Sequence, residues 1–142
     1  MTFYFPDTNV WVALNHEQHA HYAVAIRWYQ SVPSDSRIVF CRQTQLGLLR
    51  LLSTPAVMGN EARILRDCWA IFDRWVGTGQ LLWADDPREV DTVLRHLTSA
   101  NSISPKLWAD AYLAALAEAA GLTLVTFDKA LAAKAKGAVL LA

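Results

Sequence analysis

The sequence predicts an α/β domain in which a mostly parallel sheet carries helices on both faces. Three observations support this fold class. Short β-rich runs alternate with longer stretches of helical periodicity. The run Ile38 to Cys41 is apolar throughout, as expected of a parallel strand buried on both sides. Proline and glycine stand where helices should begin and end. With 142 residues, the chain has the size of a single domain covering 1–142.

The first half of the chain is predicted to contain two strands and three helices. The strands lie at 3–5 and 38–41, and the helices at 8–14, 20–30 and 44–52. Pro6 closes the first strand, and Asp7 or Thr8 caps the helix that follows it. Ser53 and Thr54, followed by Pro55, end the third helix.

The second half continues the alternation. Its strands are predicted at 81–83, 122–127 and 138–141, and its helices at 61–76, 87–99, 105–120 and 128–136. Gly77 and Gly121 end helices, and Pro87 stands at a helix start. Ser104 is the predicted N-cap of the helix whose first residue is Pro105. Ligands of such a sheet bind beyond the carboxyl ends of its strands.

Composition excludes several classes of protein. Hydrophobic residues make up 54% and charged residues 18%, which excludes a disordered chain. Lys plus Arg and Asp plus Glu both number 13, so any nucleic acid should be bound through a local basic patch. The two cysteines have neither disulfide nor zinc spacing, which suits a reducing compartment. No signal peptide or membrane-length apolar run is present, so we expect a cytoplasmic protein without membrane contact.

Six tryptophans are many for a chain of this length. They either all fill the core or partly face a partner, since aromatic residues are enriched in buried interface centres. A neutral chain with surplus apolar surface is expected to associate, so we predict a homodimer with a further apolar groove for a partner segment.

Two aspartates follow predicted strands directly. Asp7 comes after the first strand, and Asp128 comes after the strand that ends at Phe127. Both therefore belong to the ligand-binding edge of the sheet. Each can also be explained as a helix N-cap, because aspartate is favoured there.

Asp110 is predicted in the middle of a helix, where capping does not explain it. Leu107, Leu113 and Ala114 are its helical neighbours, so it lies on an apolar stripe. A lone buried carboxylate is costly and is expected to pair, take up a proton or bind a metal. Pairing with Lys106, at i−4, is the local alternative. Three converging carboxylates would suit Mg²⁺ or Mn²⁺.

A hard cation held by aspartates at a sheet edge is suited to phosphodiester hydrolysis, because it lowers the pKa of a bound water and neutralises phosphate charge. No serine or histidine nucleophile with a plausible base is apparent. Neither GxxxxGK[ST] nor GxGxxG is present, which argues against nucleoside triphosphate chemistry.

Four segments resemble the PIN-domain family, and within it the VapC-type toxins of bacterial toxin–antitoxin pairs. They are FPDTNVW at 5–11, FCRQTQLGLLRLL at 40–52, LWADAYLAA at 107–115 and TLVTFDK at 123–129. The resemblance covers nearly the whole chain. It implies an α/β/α sandwich, an endoribonuclease dependent on Mg²⁺ or Mn²⁺, a homodimer, and a cognate antitoxin protein that blocks the site.

The resemblance also implies roles for individual residues. Asp7, Asp110 and Asp128 match acidic residues of the family site and would be catalytic metal ligands. Asn9 and Thr126 would support these ligands. Many family members carry a glutamate on the helix after the second strand, and Gln45 is the best match here. A neutral amide in place of that carboxylate should weaken divalent cation binding.

Other candidates carry weaker signals. A histidine cluster could bind metal but is also expected of a solvated loop: His16, His19 and His21. Asp85 and Asp86 suit a turn and a helix cap. Four basic residues flank the acidic positions and are either RNA phosphate contacts or surface charges: Arg42, Arg50, Lys106 and Lys129.

Two other functions remain open at this point. The first is a non-catalytic PIN-like protein that only binds a partner. The second is an Mg²⁺-dependent phosphatase or phosphoacceptor, against which the segment Asp7-Thr8-Asn9 lacks a second aspartate.

Overall fold

The structure is a computed structural model that describes residues 1–142. The strands are β1 (Phe3–Pro6), β2 (Arg37–Phe40), β3 (Leu81–Trp83), β4 (Thr123–Thr126) and β5 (Val139–Leu140). The helices are α1 (Thr8–Leu14), α2 (Tyr22–Ser31), α3 (Arg42–Leu52), α4 (Pro55–Met58), α5 (Leu65–Val76), α6 (Val90–Leu97), α7 (Leu107–Ala120) and α8 (Lys129–Lys134). A 3-10 turn at Gly59–Glu61 follows α4.

All five strands belong to one parallel sheet in the order β3-β2-β1-β4-β5. The chain starts in the central strand, builds outward through β2 and β3, and then crosses back to add β4 and β5 on the other side of β1. The strand order therefore reverses between β1 and β4. A crevice opens at such a reversal, beyond the carboxyl ends of the strands.

The core consists of two apolar clusters, one on each face of the sheet. Alternate residues of a strand point to opposite faces. Ile38 and Phe40 therefore pack with α1, α2, α3 and α5, whereas Val39 packs with α7 and α8. On the first face the Trp11 ring stacks on Phe40, with 3.9 Å between ring centroids. The predicted α/β/α sandwich is confirmed.

The end of α7 agrees with prediction, whereas α8 ends at Lys134 and not at the predicted residue 136. Gly121 adopts the left-handed conformation, with φ 69° and ψ 37°, and ends α7 as predicted. The amide of Leu122 then donates to the carbonyl of Ala117 at 2.8 Å. This closes the helix as expected of a glycine C-cap.

Several helix starts differ from prediction. α6 begins at Val90, so Pro87 lies before the helix and not at its start. α5 begins at Leu65 instead of Glu61, because α4 and the 3-10 turn take up the preceding residues. α7 begins at Leu107, and the predicted cap is wrong: Ser104 Oγ lies 3.2 Å from Ser102 Oγ and caps nothing. As a consequence, Asp110 lies in the first turn of α7 instead of mid-helix.

Both cysteines are free, which agrees with their spacing, and both are buried. None of the helices is long and apolar enough to span a membrane.

Candidate active site

A cleft of about 710 Å³ opens where the strand order reverses. It will be called the acidic cleft. Side chains from the β1–α1 junction, α3 and α7 line it, and those that matter for chemistry are Asp7, Asn9, Arg42, Arg50, Asp110 and Tyr112. The cleft therefore brings together two of the three predicted aspartates and two of the predicted basic residues.

Asp7 directly follows β1, and two hydrogen bonds hold its side chain in place. It is only 5% exposed, although it is a carboxylate. Its Oδ1 accepts the amide of Val10 at 3.1 Å, so it caps α1, and its Oδ2 accepts the hydroxyl of Thr126. Capping and a place in the site are thus not alternatives for Asp7, because one carboxylate serves both.

Thr126 links the two strand-end aspartates. It is fully buried, donates to Asp7 and accepts the amide of Asp128 at 3.0 Å. Asp128 itself is exposed and caps α8, since its Oδ1 accepts the amide of Ala130 at 2.8 Å. Asp128 does not line the acidic cleft, but it stands next to it through Thr126.

Asp110 points into the cleft from the first turn of α7. Its side chain is half-buried and forms no salt bridge, so the predicted local alternative, pairing with Lys106, is absent. A carboxylate in a first helical turn interacts favourably with the helix dipole. No lysine, arginine or histidine forms a salt bridge with this carboxylate, so its charge has no partner in direct contact.

The three aspartates influence one another electrostatically. Burial raises the pKa of Asp7 above its ordinary value, and the charges of Asp110 and Asp128 raise it further, against the hydrogen bonds from Thr126 and Val10. Burial also raises the pKa of Asp110, with a further contribution from Asp128 and an opposing one from Lys134. The protein therefore gathers negative charge where it is costly, as sites for cations do.

Carboxylate oxygens at this edge fit a hard divalent cation by their chemistry. Asp7 and Asp110 would be the ligands that line the cleft, with Asp128 beside them. No group of three His, Cys, Asp or Glu side chains is close enough to hold a metal ion. The sharing of one cation by all three aspartates stays a prediction.

Gln45 lies outside the cleft. It is buried, and its Oε1 accepts from Arg42 Nη1 at 2.6 Å. The amide oxygen is thus directed at a guanidinium and not at the aspartates. Gly47, two residues on, lines the cleft instead. On this face of α3 the helix offers no carboxylate to the cleft.

Sequence reasoning did not single out Tyr112 and Trp83. Tyr112 lines the cleft and donates its hydroxyl to Asp86, for which the sequence predicts a turn and a helix cap. Burial raises the pKa of Tyr112, and the bond to Asp86 raises it further. Trp83 lies under Arg42, whose guanidinium carbon is 4.7 Å from the ring centroid. Tyr112 could have been found from the sequence, because it lies two residues after Asp110. Trp83 could not, because its position beside Arg42 depends on the strand order.

The remaining candidates lie away from the cleft. His16 is buried with Nδ1 3.0 Å from Glu61 Oε2, so the expectation of a solvated loop is wrong for this residue. His21 stacks on Phe127, with 4.4 Å between centroids. Lys106 and Lys129 do not line the cleft.

Comparison with known proteins places this geometry in a family. The family model for the PIN domain matches residues 4–137. Ribonuclease VapC41 of Mycobacterium tuberculosis is 35% identical over 128 residues, which is 87% of this chain and 88% of the relative.

Solved structures agree with this assignment at the level of the fold. The M. tuberculosis toxin VapC20, described as cleaving the sarcin–ricin loop, superimposes with a TM-score of 0.66 at 17% identity, over 92% of this chain and 93% of that one. VapBC2 of Rickettsia felis, bound to a DNA fragment from its promoter, gives 0.69 at 14% identity, over 98% and 97%.

The chain therefore belongs to the PIN-domain family, and within it to the VapC ribonucleases. PIN-domain ribonucleases depend on divalent metal ions, which agrees with the carboxylate chemistry of the cleft.

Proposed function

We propose that this protein is the toxin of a type II toxin–antitoxin pair and acts as an endoribonuclease that hydrolyses RNA phosphodiester bonds. The observation that carries the proposal is the placement of Asp7 and Asp110 in one cleft at the strand-order reversal, with Asp128 within electrostatic reach. The similarity to VapC41 supports ribonuclease activity in particular.

The metal in this proposal is Mg²⁺ or Mn²⁺, because the site offers carboxylates and no thiolate or imidazole. A hard divalent cation supplies a water of lowered pKa and neutralises charge on a phosphodiester. Asp7, Asp110 and Asp128 would hold it as ligands.

The chain's own residues prepare this site in two ways. Thr126 fixes one oxygen of Asp7 by donating to it, and the amide of Val10 fixes the other, so the carboxylate keeps one orientation. Asn9 lines the cleft next to Asp7 and offers an amide to water or phosphate. No histidine lines the cleft, so the proposal uses no side-chain imidazole as base.

The first test is cleavage of mixed RNAs by the purified protein in the presence of Mg²⁺ or Mn²⁺. We expect the wild-type protein to cut RNA internally and Asp7→Asn to lose more than about 100-fold in rate. Replacing a residue that only supports a metal ligand already costs about 10–100-fold, and Asp7 is proposed as a ligand itself. Arg27→Ala, an exposed change on α2 away from the cleft, should cut like the wild type.

The alternative is a non-catalytic PIN-like protein that only binds its partner. The absence of a cleft carboxylate on α3, where Gln45 and Gly47 stand, is the observation in its favour. RNA left intact by wild type and Asp7→Asn alike, with either cation, would favour this alternative over the nuclease.

We also propose two protein partners. The first is an antitoxin that lays an amphipathic helix near the acidic cleft and directs a basic side chain at the aspartates, where it would substitute for the cation electrostatically. To test this, the product of a short reading frame adjacent to the gene is expressed together with this protein, and we expect the two to co-purify. The second partner is another copy of this chain, as argued below from α5.

A further inference from the structure

Two arginines line a cleft whose chemistry is otherwise acidic. Arg42 and Arg50 lie about two turns apart on α3, both are exposed, and neither forms a salt bridge. They line the same cleft as Asp7 and Asp110. A polyanion entering this cleft meets negative carboxylates, so compensating positive charge is needed beside them.

Arg42 differs from Arg50 in being held in place from two sides. Its Nη1 donates to Gln45 Oε1 at 2.6 Å, and its guanidinium stacks 4.7 Å from the Trp83 ring centroid. Gln45 is only 4% exposed, so the anchor is part of the packed core. Fixing an arginine before binding lowers the entropy lost when it contacts a ligand.

The neutrality of Gln45 matters for the charge of this arginine. A glutamate in the same place would form an ion pair with Arg42 and cancel most of its positive potential. The amide accepts one N–H and leaves the charge and the remaining donors of the guanidinium available. The residue that departs from the family pattern therefore has a use in this structure.

We propose that Arg42 binds an RNA phosphate next to the scissile bond, and that Gln45 and Trp83 are positioning residues that orient its guanidinium without neutralising it. This inference rests on the proposed ribonuclease function, because it takes RNA as the ligand.

The test separates binding from cleavage. Binding of a fluorescently labelled single-stranded RNA is measured by anisotropy in EDTA over a range of salt concentrations. Log affinity falls with log salt, and each phosphate contact of a single strand contributes about 0.7 to the steepness of this fall. We expect Arg42→Ala to make the fall less steep by about this amount. Arg27→Ala, the same change of charge on α2, should leave it unchanged. Arg42→Lys should restore part of the slope.

The role of Gln45 is tested with a matched pair of variants. Gln45→Glu and Gln43→Glu add the same charge to α3, but only Gln45 contacts Arg42, whereas Gln43 lines the cleft itself. Gln45→Glu should weaken RNA binding more in the wild-type background than in the Arg42→Ala background, because in the wild type the new charge also neutralises Arg42. Gln43→Glu should weaken RNA binding by a similar factor in both backgrounds.

Cleavage kinetics with a divalent cation complete the test. Arg42→Ala should raise KM more than it lowers kcat, with an unchanged unfolding midpoint. Wild-type KM and salt slope in Arg42→Ala would overturn the inference while leaving the nuclease intact. An effect of Gln45→Glu on RNA binding that is the same with and without Arg42 would overturn the part assigned to Gln45. A wild-type protein that binds RNA but never cuts it would instead contradict the proposed function, and one that does not bind RNA would overturn both.

Discussion

Asp110 is the residue whose environment differs most from what its sequence position suggests. Its carboxylate is half-buried near Asp128, without a salt bridge. In the unfolded chain the carboxyl regains its ordinary pKa, 3.8, whereas in the folded protein the pKa is raised. The folded state therefore holds the proton more tightly, and the ionised group costs stability as pH rises through and above this window.

We predict that Asp110→Asn stabilises the metal-free protein. The variant removes the like-charge repulsion, so its unfolding midpoint in EDTA should exceed that of the wild type at neutral pH. The difference should shrink as pH falls towards and below 3.8, where the carboxyl is protonated in the folded and the unfolded state alike. Thermal unfolding followed by circular dichroism across this pH range measures both. A midpoint below the wild type at neutral pH would show that Asp110 is a structural ion-pair member.

We predict that an added divalent cation reverses the order of the unfolding midpoints of the wild type and Asp110→Asn. A ligand that binds only the folded state raises its stability by mass action. We expect Mg²⁺ or Mn²⁺ to raise the midpoint of the wild type more than that of Asp110→Asn. An equal rise in both would mean that Asp110 does not contact the bound ion.

Helices α1 and α3 lie very close together at Gly47. A Cβ added to Gly47 would lie 2.6 Å from Oγ1 and 2.7 Å from Cγ2 of Thr8. Because Thr8 is β-branched, rotating its side chain exchanges one close atom for the other. Gly47 and Thr8 both line the cleft, so this contact belongs to the wall of the cleft as well as to the helix packing.

We predict that Gly47→Ala destabilises the protein. Helix propensity alone would favour alanine by about 1 kcal/mol, but overpacking of this kind costs about 1–3 kcal/mol. The net loss should appear as a lower midpoint in urea. Adding Thr8→Ala should recover much of it, because the two closest atoms are then removed. A single variant more stable than the wild type would indicate that α1 moves away from α3 freely.

At the scale of the molecule, the core does not take up all six tryptophans. Trp11 and Trp28 are buried, whereas the exposed ones are Trp69, Trp83 and Trp108. Leu65, Trp69 and Val76 follow one stripe of α5 and are all exposed. An apolar stripe on an outer helix favours association with a second copy of the same surface.

We predict a homodimer through α5. Light scattering at micromolar concentration should give about twice 15.8 kDa for the wild type. Trp69→Ser should shift the protein towards the monomer, because aromatic residues dominate interface energies. Trp108→Ser removes an even more exposed tryptophan from α7 and should leave the dimer intact. A monomeric wild type, or dissociation by both variants alike, would remove α5 from consideration.

Local patterns in the sequence determined the fold class and the edge of the sheet where chemistry belongs. Alternating strands and helices require a parallel sheet, and Asp7 and Asp128 follow strand ends in the chain itself. The stop of α7 at Gly121 was equally local, since a left-handed residue needs no distant partner. All of these depend on residues within a few positions of one another, which is why they can be read without coordinates.

Tertiary structure alone decided what faces the cleft. Strand order placed β4 beside β1, so Thr126 reaches Asp7 from 119 residues away. The packing of α3 kept Gln45 out of the cleft, and Trp83 reached Arg42 because β3 pairs with β2. The bond from Arg42 to Gln45 spans only three positions of one helix, but the burial of Gln45 depends on that packing. Such contacts are set by how whole elements pack, and the free energy of that packing is shared among many residues that no local motif contains.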